Sequence, residues 1–398
     1  LFLENDEQLD KYLSVSDQMP KLKKVIVYEK DGLIDFDDPR VMFLTDLYEV
    51  GKIELEKKSG IFEKEIEAGK SEDTSILIYT SGTTGEPKGV EITGNNIMFS
   101  ISAGGRSLPV FDNDEQLCFL PLCHILERLI SVFQPIGAGS VINFAESSET
   151  VFDNLQEVSP TIFTAVPRVW ERIYSRVSIM TGEATPFGRW AFKKALAAGM
   201  NKIKAEDENR AIPLSYYFWD FVLLKNIRRM LGMDNLRRGT TGAAPISPEL
   251  LTWFRAIGVK IFEGYGMSES AGLISLNYEG NHKNGSVGSV IPGAMLRIGV
   301  DNEIQYKGGN CFKGYWRKTD KTDETFTSDG WMKTGDIGLI DDNGFLTITG
   351  RMKDIIITAG GKNVTPSELE NRLKFSPYIS DTILIGDGRK FISCLVMI

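Results

Sequence analysis

Two hydrophobic rhythms divide this chain. From its start to about residue 265, apolar runs of strand length alternate with longer amphipathic stretches. The strand candidates are Val25–Tyr28, Ser75–Tyr79, Gln116–Leu120, Ser140–Phe144, Thr161–Ala165 and Val259–Glu263. Stretches such as "GNNIMFSISAGG" and "PLCHILERLISVFQ" lie between them. Strand, helix, strand in repetition is the pattern of parallel-type sheets covered by helices. From Gly285 to Thr349 glycines and short β-type runs take over, as in "NEIQYKGGNCFKGYW" and "GWMKTGDIGLI". That change predicts a small antiparallel, barrel-like β unit. At "GRMKDIII" a third pattern begins, a strand followed by the helix candidate "TPSELENRLKF". Thr365 opens this helix, Pro366 lies in its first turn and Glu368 sits at capping-box distance. Two more strand candidates follow. The expected fold class is therefore α/β, with a large domain over 1–350, its β subdomain at about 285–350, and the start of a small α+β domain over 351–398.

A length of 398 residues is too great for one small core. The chain begins at Leu1 without Met and stops at Ile398 inside the strand-like "FISCLVMI", so both domains are expected to be truncated. A hydrophobic content of 42% with 25% charged residues is that of globular rather than disordered protein. The net charge of −9 argues against nucleic acid as the main partner. Cys118, Cys123, Cys311 and Cys394 are not spaced as a metal knuckle, and two histidines add few ligands. No apolar run reaches the roughly 18 residues of a bilayer span, and no signal peptide is visible. Phe187–Leu231 is helical in pattern, and "RWAFKKALAAGMNKIKA" has a basic face. A solvated helix face and a peripheral membrane contact are its two readings. The expected location is the cytoplasm, with membrane association as the second reading.

The stretch that carries chemistry is "YTSGTTGEPKGV", Tyr79–Val90, directly after the apolar run "SILI". Backbone N–H groups of a glycine loop can ring a phosphate without side-chain bulk. Thr80, Ser81, Thr83 and Thr84 add hydroxyls, and Lys88 adds a full charge. A Walker loop would need Gly-Lys-Ser/Thr, but here Pro87 precedes Lys88 and Gly89 follows it. Pro87 also disfavours running directly into a helix. Further along lie "TTGAAPIS", "EGYGMSES", "WMKTGDIG" and "GRMKD". The small residues of "TTGAAPIS" leave room for a flat base or an acyl chain against the backbone, and Ser247 is a candidate helix cap.

"YTSGTTGEPKGV" resembles the signature of the adenylate-forming superfamily: acyl-CoA synthetases, luciferases and nonribosomal peptide adenylation domains. The other motifs follow in that family's order, with serine replacing threonine at Ser268. "VPRVWERI" and the helical insert after it look like the long-chain fatty acyl-CoA synthetases. The resemblance implies ATP, Mg²⁺ and CoA as nucleotide, metal and co-substrate, and a fatty acid as the acid activated. Thr80, Ser81, Gly82, Thr83, Thr84 and Gly85 would line the β- and γ-phosphates, with Lys88 as their charged partner. Gly242, Ala243, Ala244, Gly264, Tyr265 and Gly266 would border the nucleotide, with Tyr265 against adenine. Ser268 would approach the α-phosphate, and Thr83 and Glu269 would meet Mg²⁺. Asp336 and Arg351 would hold the ribose or a phosphate, and Lys353 would be the hinge between domains. His124 would lie near the acyl carboxylate, against the competing reading of a satisfied core histidine. Trp170 would gate a fatty-acid tunnel or simply pack in the core.

The implied reaction forms an acyl-adenylate from fatty acid and ATP, and then an acyl-CoA. No catalytic triad is required, because the mixed anhydride is the activated species and CoA supplies the thiol. The family's late catalytic lysine has no match before Ile398, so weak adenylation is expected of this polypeptide. Two alternatives stand beside the ligase: an acyl-AMP ligase that loads a carrier protein, and a nucleotide- or lipid-binding relic without catalysis.

Overall fold

The computed structural model describes residues 1–80, 86–374, 376 and 378–398. The chain forms two units, Leu1–Lys70 and Ser71–Ile398. In the first, strands β1 (Phe2–Leu3), β2 (Val25–Val27) and β3 (Val41–Phe43) make a parallel sheet in that order. The helix Asp6–Leu13 is capped by Asn5, whose side chain accepts from the Gln8 N–H at 3.2 Å. It buries Leu9 and Tyr12 with Val25, Val27 and Leu33.

The second unit opens with β4 (Thr74–Thr80) and β5 (Lys88–Thr93), an antiparallel pair with Thr80 opposite Lys88. Pro87 therefore precedes a returning strand, not a helix, which is why the Walker register fails. β6 (Glu115–Cys118) pairs in parallel with β7 (Val141–Phe144). β8 (Ile162–Ala165), β9 (Arg238–Thr241) and β10 (Ile261–Tyr265) form a parallel ladder, extended antiparallel by β11 (Ser275–Leu276) and β12 (Ser289–Val290). β13 (Met295–Ile298) and β14 (Glu303–Lys307) begin an antiparallel sheet, and β15 (Gly314–Tyr315) leaves it to pair with β5. β16 (Met332–Ile340) and β17 (Leu346–Arg351) complete the order β13-β14-β16-β17. The last segment holds the short pair β18 (Ile356–Ile357) and β19 (Asn363–Val364), the helix Pro366–Lys374, and the hairpin β20 (Asp381–Ile385) and β21 (Ser393–Met397). The expected α/β class holds, with antiparallel pairs at β4–β5 and β11–β12 among the parallel ladders.

Three helices of the main core open on proline: Pro167–Glu183, Pro186–Asp207 and Pro248–Ala256. Proline costs nothing at a helix start, where the first N–H groups lack intrahelical acceptors. Thr185 and Ser247 cap two of them, accepting from Gly188 at 3.1 Å and Leu250 at 3.3 Å. These helices pack on the parallel ladder around Trp170, which is fully buried. Its ring meets Phe163 and Phe254 edge-on at 5.3 and 5.2 Å, and its indole N–H donates to the Ala165 carbonyl. Gly239 of β9 is the complement of that ring: a Cβ there would lie 2.8 Å from Trp170 Cη2. "RGTT" is a polar run that does not read as a strand; it is one because β8 and β10 both pair with it. The other departures are local. "PLCHILERLISVFQ" becomes helical only at Ile125, with a π turn over Leu129–Phe133. The Phe187–Leu231 stretch breaks between Asp207 and Leu214, where Pro213 intervenes.

Gly199 faces the C-terminus of the helix Pro248–Ala256, where a Cβ would lie 2.0 Å from the Ala256 carbonyl oxygen. Gly199→Ala gains about 1 kcal/mol of helix propensity. It must also separate two backbones in contact, and such overpacking costs about 1–3 kcal/mol. The expected result is a net loss of stability in urea unfolding, despite the better helix former.

Candidate active site

The second unit contains a cavity of about 1090 Å³. β4 and β5 bring Thr80 and Lys88 to its wall as cross-strand neighbours. Lys88 has no carboxylate partner among the described residues; its ammonium lies over the Tyr315 ring, 4.7 Å from the centroid. Tyr315 stands there because β15 pairs with β5, placing it opposite Val90. Its hydroxyl donates to Glu269 Oε1 at 2.7 Å. One buried tyrosine thus joins the lysine of the first motif to the glutamate of another. Burial, reinforced by Glu269, pushes the phenol well above its usual range, so it stays a neutral donor.

Glu269 is held on a short 3₁₀ turn, Ser268–Ser270, at the end of β10. Gly266 permits the turn: a Cβ there would lie 2.2 Å from the Gly272 carbonyl oxygen. Asn310, fully buried, clamps the same turn by donating to the Ser270 and Leu273 carbonyls at 2.7 and 2.6 Å. Tyr306 in turn donates to Asn310 Oδ1 at 2.6 Å. Ala243 and Ala271 both adopt the left-handed region, at φ of 68° and 43°. Such conformations cost about 1–3 kcal/mol and cluster at functional sites. Ala243, Gly242 and Gly264 line the cavity, and a Cβ on Gly242 would meet the Gly264 carbonyl oxygen at 3.1 Å.

A second polar group lies at the β16–β17 ladder, where Asp336 is opposite Arg351. The buried Asp336 accepts from the Tyr265 hydroxyl at 2.6 Å and from Arg351 Nε at 3.1 Å. Burial, and then the Asp336 charge, hold the Tyr265 phenol far above its ordinary value. Tyr265, Gly266, Ser268, Glu269, Arg351 and Lys353 all line the cavity. His124 does too: it is exposed in the wall before the helix Ile125–Arg128, not a satisfied core histidine. Asp336 is not among the lining residues and reaches the cavity through its two partners; Ala244 lies outside the lining. Ser81, Gly82, Thr83, Thr84 and Gly85 lie outside the described residues. Trp170 is absent from the lining, which favours its core role.

The remaining wall is largely apolar. It runs along the helix Gly94–Ser107, where Ser100 donates to the Ala271 carbonyl and Ile101, Gly104 and Leu108 follow. Ser100 to Leu108 is about 12 Å at the helical rise. Leu120, Ile130, Phe163 and Leu273 line this part as well. The cavity can therefore hold a charged, flat ligand at one end and an apolar chain along the helix. No cluster of three metal-ligating side chains occurs among the described residues. Glu269 suits a Mg²⁺ ion that arrives with phosphates, since Mg²⁺ takes one or two carboxylates there. Its Oε1 is fixed by Tyr315, and its other oxygen has no protein donor among the described residues.

Family comparison can now be set beside this geometry. Residues 4–316 match the AMP-binding enzyme family, and residues 353–398 match the AMP-binding enzyme C-terminal domain. The chain belongs to the AMP-binding enzyme family. It is 35% identical over its whole length to the long-chain-fatty-acid–CoA ligase ACSBG2 of Xenopus laevis, covering 55% of that protein. It is equally similar to the long-chain-fatty-acid–CoA ligase FadD15 of Mycobacterium bovis, covering 64%. The chain thus spans about three-fifths of the length of these relatives. Among solved structures it superposes on the anthranilate CoA ligase AuaEII in complex with anthranoyl-AMP, with a TM-score of 0.70, 19% identity, and coverage of 100% of this chain and 67% of that one. A second is the O-succinylbenzoate coenzyme A synthetase MenE of Bacillus subtilis in complex with AMP, at 0.63 and 23%, covering 98% and 70%. At these identities the two structures establish the fold alone, that of the AMP-binding enzymes.

Reading the motifs did not find Tyr315, Asn310 or Glu303. Tyr315 lies in "FKGYW", where nothing marks it as a partner of Glu269. Glu303 lines the cavity and accepts from the Gly335 N–H at 3.1 Å. Tyr315→Phe removes a hydrogen bond to a buried carboxylate and is expected to cost about 1.5–3 kcal/mol in urea unfolding. Glu263, which opens the "EGYGMSES" stretch, is a buried acid whose pKa burial raises from 4.5 to about 8. Between those values the folded state keeps a proton that the unfolded state releases. Stability from this group is full below pH 4.5 and falls by about 1.4 kcal/mol per pH unit up to the folded pKa. Unfolding measured across this window is expected to show a flatter pH dependence for Glu263→Gln than for the unsubstituted protein.

Proposed function

We propose that this chain carries the active site of an AMP-forming long-chain fatty acid–CoA ligase, acting on ATP, a fatty acid and CoA. The observation that carries this reading is the Lys88–Tyr315–Glu269 cluster, which draws the ends of two separate motifs into one cavity that continues as an apolar slot. The whole-length similarity to long-chain-fatty-acid–CoA ligases supports the acyl class.

Lys88 meets the β- and γ-phosphates of ATP, beside Thr80, and its unpaired charge stabilises the departing pyrophosphate. Ser268 approaches the α-phosphate and Tyr265 lies along adenine. Arg351 meets the ribose, oriented by Asp336, which also fixes the Tyr265 hydroxyl from behind the cavity wall. The chain wall from Ile101 to Leu108 takes the fatty acid, and His124 steadies its carboxylate. Glu269 would hold Mg²⁺, which when bound would supply charge neutralisation at the phosphates. Most of the catalytic effect is positioning and charge stabilisation, as phosphoryl-type substitution requires. The fatty carboxylate attacks the α-phosphorus and pyrophosphate leaves. The CoA thiol then attacks the acyl-adenylate carbonyl and AMP leaves. Residues 351–398 act as a lid that turns about Lys353 between the two halves. We read the protein as cytoplasmic, with a peripheral membrane contact, for a fatty acid that dissolves in lipid, as the second reading.

Incubating the complete gene product with a panel of fatty acids, ATP–Mg²⁺ and CoA, with thioesters read by mass, tests the reading. Long-chain acyl-CoA and AMP are expected. Lys88→Ala is expected to lower kcat/KM for ATP by roughly 10²–10³, the usual loss on removing one charge-stabilising donor. Acyl transfer to a carrier protein with no CoA thioester would contradict the proposal.

A further inference from the structure

Away from the cavity, two neighbouring helical segments carry apolar side chains that the fold does not use. Pro186–Asp207 buries Ala195, Ala198, Gly199 and Ile203, and Leu214–Met230 buries Tyr216, Leu224 and Ile227. Phe187, Trp190, Leu214, Phe218 and Phe221 point outward instead, at 73, 50, 83, 60 and 78% exposure. These are not scattered single residues. Phe187 stacks on Trp190 at 5.6 Å, Trp190 meets Trp219 edge-on at 5.9 Å, and Trp219 meets Phe218 at 5.3 Å. Leu214, Phe218 and Phe221 follow at spacings of four and three, which puts them on one helix face. A contiguous exposed patch of this kind marks an interaction surface.

The exposed charges beside the rings are mainly basic. Arg189, Lys193 and Lys194 are exposed on the first helix, and Lys225 and Arg229 on the second segment. Among the nearby acids, Asp220 takes Arg228 at 2.7 Å, Asp234 takes Arg229 at 3.5 Å, and Glu206 and Asp207 take Arg255 at the far end of the first helix, while Glu183 is exposed just before that helix. A basic, aromatic surface on a chain of net charge −9 is selective by its position. Aromatic side chains favour the boundary between headgroups and acyl chains, while Lys and Arg stems reach the phosphates. Anionic lipid answers both features at once. No helix among the described residues is long and apolar enough to cross a membrane, so the contact lies in the plane of the surface.

We propose that the outer face of Pro186–Asp207 and Leu214–Met230 docks on an anionic lipid bilayer. The proposal locates the membrane contact of the ligase reading, whose fatty acid dissolves in lipid, and it is tested by binding rather than by turnover. The complete gene product is sedimented with phosphatidylcholine vesicles, with and without phosphatidylserine, at low and high salt. Binding is expected to be roughly tenfold stronger with phosphatidylserine at low salt and to fall as salt screens the charges. Lys193→Glu with Lys194→Glu, and separately Phe187→Ser with Phe218→Ser and Phe221→Ser, are each expected to lower binding at least about tenfold. Brominated acyl chains should quench tryptophan fluorescence less in Trp190→Phe than in the unsubstituted protein. The proposal is overturned if the unsubstituted protein stays in the supernatant with every vesicle. It is also overturned if both variants bind as before. A dimer in light scattering that the serine variant dissociates, with vesicle binding intact, would assign the face to a second copy instead. Thioester formation from a long-chain fatty acid dispersed in detergent, without vesicles, is expected to be unchanged in both variants. Its absence from the unsubstituted protein would remove the ligase reading and leave the vesicle result standing.

Discussion

The site depends on one side chain that accepts two opposite charges. Tyr315 gives its hydroxyl to the Glu269 carboxylate and its ring face to the Lys88 ammonium. In a buried setting a carboxylate and an ammonium brought together directly would neutralise each other. The phenol stands between them, so the Lys88 ammonium and the second Glu269 oxygen are left to meet a ligand. The ring quadrupole attracts a cation without taking its proton, and the hydroxyl fixes one carboxylate oxygen without protonating it. Three chain segments are committed to this arrangement: the β4–β5 pair, the turn after β10, and β15.

That commitment explains the polar residues buried nearby. Asn310 clamps the turn that carries Glu269, and its own oxygen is filled by Tyr306. Asn96 reaches from the helix Gly94–Ser107 to the Gly309 and Cys311 carbonyls at 2.9 and 2.8 Å, anchoring the loop that leads into β15. The helix that walls the apolar slot and the loop that delivers Tyr315 are therefore one assembly. A partly satisfied network would be worse than an apolar core. Here the amide nitrogens and oxygens of Asn96 and Asn310 all find partners. The backbone strain at Ala243 and Ala271 is local to the same region and is held by that surrounding satisfaction.

Much of the molecule was legible in the order of its residues. Apolar runs located β2, β4, β6, β7, β8 and β10 to within a residue or two; β2 and β8 are buried nearly throughout, whereas β4 and β7 leave Tyr79 and Phe144 exposed. Hydroxyl residues and proline marked helix starts at Ser247 and at Thr365–Pro366 because their chemistry is local. The glycine loop with Lys88 suggested a phosphate loop, and the resemblance linked it to the Tyr265–Glu269 stretch; Lys88, Tyr265 and Glu269 do line one cavity. β5 and β9 were not legible as strands. "KGVEIT" reads as the tail of a loop and "RGTT" as a polar turn, and both become strands only because neighbours pair with them.

Sequence alone thus determined the α/β class, the glycine turns and the residue types that can handle a phosphate, since these follow from neighbours along the chain. Tertiary structure alone decided that Tyr315 stands between Lys88 and Glu269, that Asp336 answers Tyr265, and that Trp170 belongs to the core while His124 faces the cavity. Each of those depends on residues far apart in sequence reaching hydrogen-bond or van der Waals distance. Such interactions fall off within a few ångströms, so only the packed chain can select them.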